Sequence, residues 1–105
     1  MKEQEAYYNE LAANFEGAVK SQLFGKPCYK IKGKAFVSFY QDCMVFKLAG
    51  KEHIEALALD GSQLFDPSGK KRPMKEWVQV SYNSKDKWPM FTKAAFDYVG
   101  STSAQ

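Results

Sequence analysis

Between residues 28 and 48 the apolar positions recur with a period of two, and the run is broken twice, at Lys32-Gly33 and at Gln41-Asp42. Two-residue breaks of this kind close tight hairpins, so the stretch predicts three antiparallel strands. Residues facing each other across such a hairpin sum to a constant. Val37 is therefore expected opposite Phe46, Phe39 opposite Met44 and Ala35 opposite Leu48, which makes one face apolar throughout. The same register sets Tyr29 beside Phe36 and Ser38 beside Val45 on the other face, with Ile31, Tyr40, Cys43 and Lys47 around them. A sheet that is apolar on both sides needs cover on both sides, from helices, from a later strand or from another molecule.

The flanking segments are expected to supply helices. Tyr8, Leu11, Phe15, Ala18 and Val19 recur at steps of three and four and predict an N-terminal helix that Gly25 and Pro27 end. A short helix is expected over 51–59, with Ile54, Leu57 and Ala58 inward and Gly61 as its left-handed stop. Leu64-Phe65 reads as a brief strand, Asp66-Pro67-Ser68-Gly69 as a turn, 70–75 as a basic loop and 77–82 as the last strand. A C-terminal helix capped near Ser84 carries the stripe Trp88, Phe91, Ala95, Tyr98 and Val99, and Pro89 requires either a later start or a distorted first turn. Residues 100–105 read as a fraying tail. The expected fold is thus α+β: N-terminal helix, three-stranded meander, short helix, two further strands and C-terminal helix, a single mixed layer of helices on a sheet of about five strands.

At 105 residues, with 45% hydrophobic and 15% aromatic content, the chain suits one domain, 1–105, with a core of its own. No apolar run approaches the length of a membrane span, and the polar, acidic start Met1-Lys2-Glu3-Gln4-Glu5 is unlike a secretory signal, so the expected compartment is the cytoplasm. The formal charge of +3 is distributed in blocks. Residues 1–22 and 52–66 are acidic on balance, whereas 25–51 and 70–75 are basic, a patchwork unlike the continuous stripe of a dedicated nucleic-acid binder.

Chemistry finds little purchase in this pattern. Cys28 and Cys43 are too far apart for a Cys-x-x-Cys motif and are expected on opposite sheet faces, and the single His53 completes no ligand set. Asp66 to Lys71 lacks the glycine spacing that cradles phosphate, and Trp77 and Trp88 read as core pillars. The residues thus call for no metal, no cofactor and no catalytic group. Two binding readings remain. The aromatic face Tyr29, Phe36, Tyr40 and Val45 is a candidate contact for a protein partner or a second copy. Lys26, Lys30, Lys32 and Lys34, which lie among Tyr29 and Phe36, together with Lys70, Lys71 and Arg72, form a candidate anion or nucleic-acid contact, the alternative reading.

Phe24-Gly25, Gly33-Lys34 with Phe36, Leu48, Gly61 with Phe65, and Met74 with Trp77 and Val80 follow one another in an order that resembles the N-terminal domain of the TfoX/Sxy family of competence regulators. The resemblance covers nearly the whole chain. It departs where many relatives have Met before the Phe-Gly pair and Pro after Trp-x-x-Val, since Leu23 and Ser81 stand there. It implies a bacterial, non-enzymatic regulatory module, a stand-alone copy without the helical C-terminal domain of the competence regulators.

Overall fold

The computed structural model describes residues 2–67 and 73–102. The chain folds as α1 (Glu3–Ala13), β1 (Val19–Leu23), β2 (Lys26–Ile31), β3 (Lys34–Tyr40), β4 (Cys43–Lys47), α2 (Gly50–Leu57), β5 (Gln63–Phe65), β6 (Met74–Val80), a 3-10 segment (Tyr82–Lys87) and α3 (Trp88–Thr102). This is an α+β fold with a helix at each end. Its strands form one antiparallel sheet of six, in the order β1-β2-β3-β4-β6-β5.

The meander has four strands, not three, because the N-terminal helix is shorter than its apolar spacing suggests. α1 ends at Ala13, and Gly17, at φ +88°, turns the chain back; a Cβ there would lie 3.0 Å from Cδ1 of Ile31. Both the backbone angle and the close approach call for glycine. Val19 then opens β1, and Phe24-Gly25 closes its hairpin onto β2. At Phe24-Gly25, Lys32-Gly33 and Gln41-Asp42 both central residues have positive φ, the mark of the primed turns whose twist matches that of the strands they join.

Register follows the turns until β2 meets the middle of β3. Ile31 pairs with Lys34 and Lys30 with Ala35, but a bulge then sets Tyr29 opposite Val37 and Cys28 opposite Ser38. The expected Tyr29–Phe36 pair is therefore replaced. Across the bulge Phe36 and Val37 both point to one side, and both are fully buried there. The β3–β4 pairs Val37↔Phe46, Ser38↔Val45 and Phe39↔Met44 are as expected. Leu48 instead lies past the end of β4 and donates its amide to the Glu76 carbonyl at 2.8 Å, so it does not pair with Ala35.

All three helices lie on one face. Their buried side chains Tyr8, Ala12, Ala56, Trp88, Phe91, Ala95 and Val99 join Tyr29, Ile31, Phe36, Val37, Phe39, Met44, Phe46, Val78 and Val80 in one core. Aromatic contacts lock the layers: Tyr8 against Tyr29 and Phe39, Phe91 against Phe46, and Phe96 against Phe36. In α2 Ala56 is buried and Leu57, as expected, packs against the same core, whereas Ala58 is exposed and Ile54 is 71% exposed, contrary to the rest of the expected stripe.

The C-terminal approach also differs in detail. β6 starts at Met74 and stops at Val80, and the capping residue is Ser81, whose Oγ accepts from the Asn83 amide at 3.1 Å, where Ser84 was expected. The 3-10 segment takes up the polar run Tyr82 to Lys87, and α3 starts at Trp88. Pro89 thus stands in the first turn, where its missing N–H costs nothing. α3 extends to Thr102, so residues 100–102 continue the helix where fraying was expected; 103–105 lie outside the described residues.

Candidate interaction surfaces

With the helices on one side, the opposite face is packed, among the described residues, by side chains of the strands. Val45, Phe65 and Trp77 are buried in a second, smaller core, against which Leu23, Ala35, Tyr40 and Met74 pack. Every one of these residues comes from a strand, and they come from β1, β3, β4, β5 and β6. The Tyr40 ring meets Phe65 edge-on at 5.4 Å, and the Lys26 ammonium lies 5.2 Å from the Tyr40 ring centre. Strand curvature brings side chains from both ends of the sheet together over the middle.

The four residues of the expected aromatic contact face are separated by this arrangement. Tyr29 and Phe36 are buried under the helices, Val45 is fully buried in the second core, and Tyr40 is half-buried at its margin. The bulge in β3 is the physical reason, since it transfers Phe36 to the helical side. Cys28 and Cys43 are likewise rearranged: through the pairs Cys28↔Ser38 and Tyr40↔Cys43 both stand on the second face, as free thiols. Burial pushes both thiols up from their ordinary value; Lys30 offsets part of this at Cys28, and a hydrogen bond with Gln79 offsets part of it at Cys43.

The expected cationic group is divided too. Lys30 stands opposite Ala35 on the second face and is half-buried, Lys32 is exposed at a hairpin tip, and Lys34 is exposed opposite Ile31 on the helical side. Of these four lysines, Lys26 is half-buried on the second face and meets an aromatic ring, that of Tyr40. Lys70, Lys71 and Arg72 lie outside the described residues, as do Ser68 and Gly69 of the expected turn.

His53 ties α2 to the sheet, with Nε2 2.7 Å from the Lys75 carbonyl, which requires that nitrogen to be the donor. The carboxylates of Glu3 and Glu76 accept from Tyr82 and Tyr98, joining the chain ends to the fold. Among the described residues no three His, Cys, Asp or Glu side chains converge as a metal site, and no helix is long and apolar enough to cross a membrane.

Sequence reasoning missed the outer strand. β1 borders the sheet, is regular over five residue pairs with β2, and has two of the exposed large hydrophobic residues at its ends, Val19 and Phe24, each 61% exposed. The opposite border, β5, is three residues long with a register shift, the usual way of blunting an edge. The signal was present in the alternation of Val19, Ser21 and Leu23 ahead of an Xaa-Gly turn. No protein family, curated protein or solved structure matches the chain.

Proposed function

We propose that the chain is a non-enzymatic binding module acting through protein–protein association, the role its resemblance to the TfoX N-terminal domain implies, in a cytoplasmic regulatory setting of the transcriptional or competence type. The observation that supports this reading is the β1 border. A regular outer strand with a single charge, Lys20, and exposed Val19 and Phe24 at its ends offers main-chain hydrogen bonds together with apolar anchors. Strand addition to a sheet edge uses these elements, the backbone for affinity and alternate side chains for choice of partner. The test is retention of a defined partner from the native host by the immobilised chain, compared with Gln22→Pro, which removes an outward amide. Equal retention by both would count against the border.

A second reading, nucleic-acid binding, draws on the pairing of Lys26 with Tyr40 and on the nearby Lys30. A cation beside a stacking ring suits single strands. Salt-sensitive retention on single-stranded DNA that is lost in Lys26→Glu with Lys30→Glu would favour it, because phosphate contacts release counterions.

A further inference from the structure

We propose that the partner of β1 is the β1 of a second copy, paired antiparallel about a two-fold axis through Ser21, so that one sheet runs through both chains. This rests on the reading of the chain as an association module, and it names the occupant and the register.

The hairpin determines which groups are free to pair. Across a two-residue turn the flanking residues, Leu23 and Lys26, share both hydrogen bonds, and the bonding then alternates along the ladder. Leu23, Ser21 and Val19 therefore spend their amides and carbonyls on β2, while Lys20 and Gln22 direct theirs outward. A two-fold through Ser21 sets Lys20 of each copy opposite Gln22 of the other, and these become the hydrogen-bonded pairs. The two Ser21 residues meet as the close, non-hydrogen-bonded pair, where small side chains fit.

Side chains select this register over its neighbours. A two-fold through Lys20 would oppose two like charges, and one through Gln22 would set Val19 against Gly25 in the turn. With the axis at Ser21, Val19 of one copy faces Leu23 of the other. Val19 is exposed and Leu23 packs at the margin of the second core, so pairing covers the one and extends the core of the other. The strand is its own complement, apolar opposite apolar and Lys opposite Gln, which is the requirement of an isologous contact.

Sedimentation equilibrium from micromolar to millimolar chain, on the native protein and on Gln22→Pro, tests the proposal together with a Ser21→Cys cross-link. The cross-link uses a Cys28→Ala, Cys43→Ala background, because Cys28 is the β2 partner of Ser21. The expected result is a native dimer, a folded monomer for Gln22→Pro, and an oxidised dimer for Ser21→Cys that Lys20→Cys does not form. A native chain that stays monomeric overturns the proposal, as does a dimer unaffected by Gln22→Pro in which Ser21→Cys fails to cross-link. If Gln22→Pro does not fold, the comparison of the two cysteine variants decides. A monomeric native chain that still loses a foreign partner on Gln22→Pro would overturn self-pairing and leave the association reading standing.

Discussion

Tyr29 on β2 donates its phenol proton to Oδ1 of Asn9 on α1 over 2.9 Å, while its ring takes the edge-on packing of Tyr8. Asn9 in turn gives its amide to the Glu5 carbonyl at 3.1 Å, so the hydroxyl, the side-chain amide and the helix backbone form one chain of bonds. This is a polar fastening of the first helix to the sheet. Tyr29→Phe keeps the ring and removes the bond, and is expected to lower stability by about 1 kcal/mol in urea unfolding. Combined with Asn9→Ala, the loss should fall short of the sum of the two single changes, since both break the same bond.

Phe36 and Val45 lie on opposite faces and are both fully buried. Phe36→Ala is expected to cost about 3–5 kcal/mol by leaving a cavity under α3. Val45→Glu places a carboxylate in the second core and should lower the melting temperature at least as severely. Ile54→Ser, at a 71% exposed position, should stay within about 0.5 kcal/mol of the native chain. Circular dichroism melts of the three variants separate these outcomes, and a tolerated Val45→Glu would show that the second core is dispensable.

Phe24 holds φ +53° at the tip of the first hairpin with its ring mostly exposed. An aromatic residue at positive φ is strained, and its ring gains little burial in return. Asn is favoured at this position of a primed turn, so Phe24→Asn should be neutral or stabilising by up to about 1 kcal/mol. Thermal unfolding at low protein concentration checks this. A clear loss of stability would mean that the ring packs more tightly than its exposure suggests.

Burial raises the Cys28, Cys43, Tyr8 and Tyr29 ionisations above their ordinary values, which are 9.0 for the thiols and 10.0 for the phenols. In the unfolded chain these groups ionise first. The stability associated with keeping them neutral is therefore intact below pH 9 and is lost as pH rises through the raised values. Urea midpoints should hold steady from neutrality to pH 9 and fall beyond it. Both thiols should react slowly with iodoacetamide in the native chain and quickly in urea. A midpoint that rose with alkaline pH would contradict the assignment.

The hairpins at Lys32-Gly33 and Gln41-Asp42 were legible in the sequence because a two-residue turn sets the pairing beside it, and Val37↔Phe46 and Phe39↔Met44 followed from that alone. The stripe of α3 was legible because Trp88, Phe91, Ala95 and Val99 repeat with the helical period over several turns. β1 was harder to read, since Phe15, Ala18 and Val19 fit a continuing helix as well as a turn and a strand; the alternation of Val19, Ser21 and Leu23 is a short signal beside that spacing, and the approach of Gly17 to Ile31 decides for the strand. The candidate contact face failed for a related reason. Ala35, Phe36 and Val37 are apolar at every position, so the run has no phase that could reveal a bulge.

The turns at Lys32-Gly33 and Gln41-Asp42, the order of β2, β3 and β4 and the amphipathic stripe of α3 were determined by the sequence itself, because they depend on the φ preferences and spacing of residues a few places apart. Which side of the sheet each apolar residue serves was decided only by tertiary structure. One extra residue in β3 moves Phe36 beneath α3, and curvature gathers Val45, Phe65 and Trp77 from distant parts of the chain into a core without helices. Those positions depend on the packing of whole layers, where the area buried by closing both faces outweighs any local preference.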